Sequence, residues 1–455
     1  MRFFTNERES HQLNSRDHIF HRAFKAEWPV VSHGEGVYIF DTDGRKYLDA
    51  CAGVHVVSIG HGVPEIAEAM KKQSEKICFP YGRFLSEPQI ELARRVAGMT
   101  PDGLSRVFFV SGGSEATETA MKMARKYHVE NGDHRKYKVI TRWQSWHGNT
   151  IGALSMSGRS IWRDDYVPYL LDFPHITPPI PYRCPYCSDR NECQLTCAEE
   201  LERIINQEGS EYISAFIAEP VLGTSCAGVA PPAEYWRIVR DICDHHNILF
   251  IADEVVTGFG RTGLDFGMQH WDVTPDIIAT GKGLSSGYTP IAATIATEVI
   301  YDAIYRKNDA FVHGHTYGAN ALSCAVALEV QNYVRDHELV SRCRCLGDIM
   351  LEQMKAFEDL PIVGEVRGKG LLIGVEFVAD KTKRTPFDPQ LGLTGKIVNR
   401  CMAKGVLIMP GAPGLIDGVK GDHIAVSPPY IITEEEIAHS VTVMRDSIVE
   451  VSNEI

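Results

Sequence analysis

No stretch of this 455-residue chain approaches the roughly 20 consecutive apolar residues that a membrane-spanning helix needs. Its first twenty residues, MRFFTNERESHQLNSRDHIF, lack the continuous apolar core of a secretion signal, so a soluble, cytoplasmic protein is expected. A surplus of basic charge is missing too: 46 Lys and Arg stand against 59 Asp and Glu, a formal net charge of −13. That balance argues against nucleic acid and against an anionic membrane surface as partners. Repeats and low-complexity segments are absent, and the composition is that of an ordinary globular protein. Twelve cysteines are present, mostly scattered. A chain this long buries a large core without disulfides, so most of them read as reduced core thiols. One group stands apart, CPYCSDRNECQLTC, with Cys184, Cys187, Cys193 and Cys197. Its spacing allows a zinc knuckle, but the interval between the pairs is short for a common zinc module. Free thiols or a local disulfide on a surface insertion, without a metal, are expected there.

What is present is a regular alternation. From about residue 60 to 320, short apolar runs alternate with amphipathic stretches. The strand candidates are RVFFV, YKVIT, SAFIAE, ILFIADE, DIIAT and IAATIAT. Fully apolar short runs separated by helical patterns predict an α/β fold with a mostly parallel sheet covered on both faces. Upstream, residues 1–30 read as a polar, partly helical arm, and GVYIFDTDGRKYLDA predicts a hairpin turning at Asp43 and Gly44. Downstream, a long helical stretch over about 319–358 leads to a unit with strands in GLLIGVEFV and HIAVS. A last helix opens there on a capping box of Thr433 and Glu436. The expected division is an arm and hairpin at 1–60, a large domain at 61–325 with a Cys-containing insertion at 180–200, and a small C-terminal domain at 326–455.

In open α/β sheets, ligands bind beyond the carboxyl ends of the strands. RVFFV delivers SGGSEATE, where glycines open a helix whose free N–H groups would hold a phosphate near Gly113 and Ser114; an ordinary Gly turn with a Ser cap is the plainer reading. YKVIT delivers Trp146 and His147, an aromatic face and an imidazole, or simply a Trp closing the core. ILFIADE delivers Asp253 and Glu254, and a carboxylate at the end of an apolar strand needs a partner. That partner is either a protonated ring nitrogen or a neighbouring arginine such as Arg261. DIIAT delivers Lys282, which alone would be an unremarked loop lysine. Together these features suit a phosphorylated, planar, cationic heterocycle carrying an aldehyde, and pyridoxal 5′-phosphate (PLP) meets each of them. Lys282 is then a nucleophilic amine of lowered pKa.

With these motifs in order, the sequence resembles the class III, or ω-amino acid, aminotransferases of PLP fold type I. SGGSEATE is similar to that family's phosphate loop, DEVVTGFGRTG to its signature, ATGKGLSSGYTP to its Schiff-base lysine segment, and DTDGRKYLDACAG and SIGHGVPEI to its N-terminal hairpin and following loop. The resemblance implies a transaminase moving an amino group from an amine or ω-amino acid to pyruvate or 2-oxoglutarate. A PLP-dependent lyase or aminomutase of the same fold is the alternative. It implies Lys282 and Asp253 as catalytic residues, with Gly113, Ser114, Trp146, His147, Glu219, Val255 and Thr316 also binding the cofactor. HGHTYGANALSCAVAL resembles the segment whose Thr reaches the partner's phosphate, which implies a homodimer, a tetramer being left open. Departures from the family pattern concern the substrate. Thr224 and Ala425 stand where other branches keep a paired Glu and Arg, and no Arg lies between 402 and 444. His55 stands where many relatives carry Trp. Tyr81, with Arg83 or Arg163 as the carboxylate-binding residue, completes the expected substrate set.

Overall fold

The structure, a computed structural model, describes residues 18–20, 22, 28–187, 193–223, 225–307, 310–411 and 413–455. Most of the expected N-terminal arm, Thr224, and the loop between Cys187 and Cys193 lie outside the described residues.

The hairpin forms first along the chain. Val31–Glu35 (β1), Tyr38–Asp41 (β2) and Lys46–Asp49 (β3) pair antiparallel. Gly44 turns with φ +79°, and the Asp41 carboxylate accepts the N–H groups of Asp43 and Arg45 at 3.0 and 2.9 Å.

All six apolar runs become strands of one seven-stranded sheet. They are Leu104–Val110 (β4), Lys138–Arg142 (β5), Ile213–Ala218 (β7), Leu249–Asp253 (β8), Ile277–Thr280 (β9) and Ala292–Thr297 (β10). A two-residue strand, His175–Ile176 (β6), completes the order β4-β10-β9-β8-β7-β5-β6. Strands β9, β8, β7, β5 and β6 run parallel, and β10 is antiparallel to both its neighbours. The fold is therefore α/β with a mostly parallel central sheet. Both faces are covered, as the unbroken apolar runs require. Phe216 and Phe250 point to one face, where Trp236 stacks on Phe250 at 5.3 Å. Ala215, Ile217 and Ile251 point to the other, against Ala120, Met123 and Ala124 of the helix Gly113–Glu130.

The C-terminal part adds Val363–Gly368 (β11), Ile373–Phe377 (β12), Val406–Leu407 (β13), Met409–Pro410 (β14) and Asp422–Val426 (β15). Strand β13 joins the N-terminal hairpin beside β3, and the others form the sheet β11-β12-β15-β14. One apolar cluster joins both ends of the chain, with Leu48, Phe377, Ile424 and Ile437 in it. The capping box of Thr433 and Glu436 opens the helix Glu434–Ser452.

Two expectations need correction. The helical stretch 319–358 is two helices, Ala321–Asp336 and Leu339–Lys355, broken at Glu338, whose φ is +51°. The cysteine segment is less superficial than a surface insertion. Arg183 pairs with the buried Glu376 of β12, and Cys197 is buried in the helix Thr196–Glu208. The Cys184 and Cys187 sulfurs lie 3.4 Å apart as free thiols. Among the described residues, no group of three or more His, Cys, Asp or Glu is placed to hold a metal, and no helix is long and apolar enough to cross a membrane.

Candidate active site

Strand β4 turns directly into the helix Gly113–Glu130. The first bond in that helix runs from the Ala116 N–H to the Gly112 carbonyl at 3.0 Å, so the N–H groups of residues 113–115 have no intrahelical acceptor. They face outward with the positive end of the helix dipole. Ser114 Oγ accepts the Asn149 N–H at 3.0 Å, which ties the helix start to the loop after β5. The join leaves no room: at Gly148, with φ +137°, a Cβ would lie 2.3 Å from Ser114 Oγ. A Cβ on Gly113 would lie 3.0 Å from Val255 Cγ1, so Val255 packs directly over this turn.

Strand β8 ends in two carboxylates with different surroundings. Asp253 is 3% exposed; its Oδ2 meets His147 Nδ1 at 2.6 Å, and its Oδ1 accepts the Val255 N–H at 3.0 Å. Arg261, the other partner considered for it, instead donates to the carbonyls of Leu371 and Pro428. Glu254 turns the other way and accepts from Thr257 Oγ1 and from the N–H groups of Gly267 and Met268. Burial pushes its carboxyl up to about 7. Asp253 is therefore the carboxylate offered to the site, and Glu254 is a structural brace.

Strand β9 ends at Thr280, and Lys282 follows with φ +41°. A non-glycine residue in the left-handed region is strained, and such strain persists where the surroundings enforce it. Here the N–H groups of Ser285 and Ser286 both donate to the Lys282 carbonyl, at 3.2 and 3.1 Å. Burial pulls the Lys282 amine down to about 8, while Asp253 works in the opposite direction.

These groups converge on one cavity of about 390 Å³, which Gly113, Ser114, Trp146, His147, Glu219, Asp253, Val255 and Lys282 all line. Glu219 spends its oxygens within the chain: Oε1 accepts the Trp146 N–H at 2.8 Å, and Oε2 pairs with Arg142 at 3.0 Å. Burial opposes its ionisation, but His147, Arg142 and that N–H together hold its carboxyl below the usual range. Its geometry is that of a support for Trp146.

The expected substrate residues do not gather in this cavity. His55 is turned inward with φ +59°, is buried, and bonds Ser427 Oγ at 2.6 Å, while its neighbour Val54 lines the cavity instead. Burial, and after it Lys282 and Arg261, hold the His55 imidazole well below its ordinary pKa. Arg163 is excluded as a free cation, because its guanidinium donates to the carbonyls of Leu154, Ser155 and Ser157. Tyr81, Arg83 and Thr316 are exposed on the surface of the single chain. Ala425 is buried in β15, opposite Met409, which itself lines the cavity.

Sequence reasoning missed Arg159 and Trp162, which also line the cavity. The Trp146 and Trp162 rings lie 4.9 Å apart, and Arg159 sits 5.8 Å from the Trp146 ring centre. The one signal for them was Gly158. A Cβ there would lie 2.2 Å from the Arg142 carbonyl oxygen, so the chain folds back on the end of β5 at this point.

The family model described as aminotransferase class III matches residues 22–448. The aminotransferase YodT of Bacillus subtilis is 38% identical over 430 residues, covering 94% of this chain and 96% of the relative. Among solved structures, an (S)-enantioselective ω-transaminase from Thermomicrobium roseum superposes with a TM-score of 0.88 at 36% identity, covering 93% of each chain. The ω-transaminase of Pseudomonas jessenii in complex with PMP gives 0.89 at 32% identity, covering 94% of each.

Proposed function

The chain belongs to the class III aminotransferases, has their PLP fold type I and is a transaminase; on that premise we propose that it moves an amino group from an amine or ω-amino acid to pyruvate or 2-oxoglutarate in two alternating half-reactions on PLP. The observation that carries this reading is the convergence of Lys282, the Asp253–His147 pair and an open helix start on one cavity. The residues present fit the cofactor. The unspent N–H groups at residues 113–115 suit its phosphate, and the buried carboxylate of Asp253 suits a protonated ring nitrogen. A structural neighbour solved with PMP supports the same choice.

When bound, PLP supplies an electron sink for the negative charge left on the donor carbon. The chain's own residues do the rest. The helix start and Ser114 would hold the cofactor's phosphate. Trp146, supported by Glu219, and Val255 line the same cavity and would pack against the ring. His147 fixes the Asp253 carboxylate, whose charge is set in advance and needs no reorganisation during reaction. Lys282 Nζ, whose pKa burial lowers, takes in its neutral form the proton from the carbon bearing the amine and returns one on the way to product.

The proposed working unit is a homodimer in which the partner's Thr316 completes the phosphate site, acting in the cytoplasm on small molecules. The net charge of −13 supports small-molecule partners over nucleic acid or an anionic membrane. The test is a panel of amines and ω-amino acids with each keto acid. Product amino acid is expected only when donor and keto acid are both present. Ammonia or phosphate released without a keto acid overturns the proposal.

A further inference from the structure

Three of the arginines around the cavity are spent inside the chain. Arg142 pairs with Glu219, Arg163 donates to three carbonyls, and Arg261 donates to two. Arg159 differs. Its guanidinium makes no hydrogen bond or ion pair among the described residues, although it lines the same cavity as Lys282. Burial pushes it down to about 10, so it is still charged at neutral pH. Arg159 is half-buried in the cavity wall, so its unpaired guanidinium stays open to an anion that enters the cavity.

Its position is fixed by backbone. The Gln144 N–H donates to the Gly158 carbonyl at 3.0 Å, and the Gly158 N–H donates to the Ser145 carbonyl at 3.1 Å. This closes the excursion between them and holds Arg159 beside the rings of Trp146 and Trp162. The anions of the cavity are already answered. Glu219 has Arg142, Asp253 has His147, and the helix start is available to a phosphate. Arg159 and Arg22 are the arginines that line the cavity, and Arg22, 5.0 Å from the Trp162 ring, is exposed to solvent whereas Arg159 is half-buried. A planar guanidinium with paired N–H donors matches a carboxylate in two-point geometry.

We propose that Arg159 binds the carboxylate of the keto acid and of the ω-amino acid donor, and so decides that this cavity accepts acids. The inference rests on the transaminase reading and takes the role that sequence reasoning offered to Arg83 or Arg163. Arg159 is a specificity residue, and Lys282 and Asp253 remain the catalytic ones.

The test uses holoenzyme carrying Arg159→Met, which keeps an apolar stem against Trp146, and Arg159→Lys. Single-turnover rates are measured for the aminated enzyme with pyruvate and with propanal, its neutral counterpart, and for the PLP form with β-alanine and with propylamine. In Arg159→Met the ratio of kcat/KM for acid over neutral substrate falls about 10- to 100-fold, the range for losing a hydrogen bond to a charged group. The loss falls mainly on KM, and Arg159→Lys recovers part of it. A second reading needs no turnover: propionate quenches tryptophan fluorescence in the wild type and not in Arg159→Met. An unchanged ratio with propionate binding intact overturns the proposal. So does weaker PLP binding in Arg159→Met with propionate binding preserved, which would make Arg159 a cofactor anchor. If the wild type transaminates nothing yet binds propionate through Arg159, the transaminase reading fails and the anion site stands.

Discussion

Lys282 is a lysine whose protonation can be read directly. Burial brings it to about 8, and Asp253 limits the fall. At pH 7 about one in ten Lys282 amines is then neutral, against about one in 2500 for an ordinary lysine near 10.4, a gain of roughly 200-fold in the nucleophilic form. The assay is competitive acetylation of the apo-protein across pH, with the Lys282 peptide quantified by mass spectrometry. An inflection near 8 is expected. Asp253→Asn removes the opposing charge and should move the inflection lower still. The same displacement predicts a stability trend with a definite sign. Between about 8 and 10.4 the unfolded chain holds a proton that folded Lys282 has released, so stability rises with pH across that window and Lys282→Met flattens the rise. The full effect is about 3 kcal/mol. An inflection above about 10, or an upward move in Asp253→Asn, would refute the reasoning.

Three further outcomes follow from the same geometry. Asp253→Asn should keep the fold and lose turnover by about 10²-fold or more, as removal of a preorganised charge does; near-normal turnover would mean that the carboxylate has been misassigned. Gly148→Ala forces a methyl group against Ser114 Oγ at a backbone angle that disfavours side chains, so PLP affinity measured by equilibrium titration should fall while the far-ultraviolet spectrum stays native. Mixing Lys282→Ala with Thr316→Ala subunits should raise activity above either parent if sites are shared across a dimer; a mixture with confirmed exchange that stays at parental activity, or an active monomer, rules sharing out.

What the sequence revealed of the site, it revealed through strands. Asp253 and Lys282 follow four- or five-residue apolar runs, so their positions at a sheet edge could be inferred without coordinates. The direction of β10 could not, because IAATIAT reads the same whichever way it runs. The helix break at Glu338 was hidden for a similar reason. Neither His337 nor Glu338 is a Gly or Pro, so no local residue type marks the left-handed turn there. His55 and Val54 show how sharply this limits side-chain assignment. They are adjacent, both lie in a segment of unusual backbone angles, and the one that reaches the cavity was not the one singled out.

Arg159 marks where such inference ends. A catalytic lysine can be found at a strand end because the sheet dictates where that end lies. A specificity arginine follows no such rule. It reaches the cavity because Gly158 fits against the Arg142 carbonyl where no side chain would, and it stays unspent because Glu219 is already paired with Arg142. Three residues far apart in the chain thus decide that one guanidinium remains unspent. The cofactor site is carried by local motifs on rigid elements, and the choice of substrate is carried by a balance of charges that only the folded chain assembles.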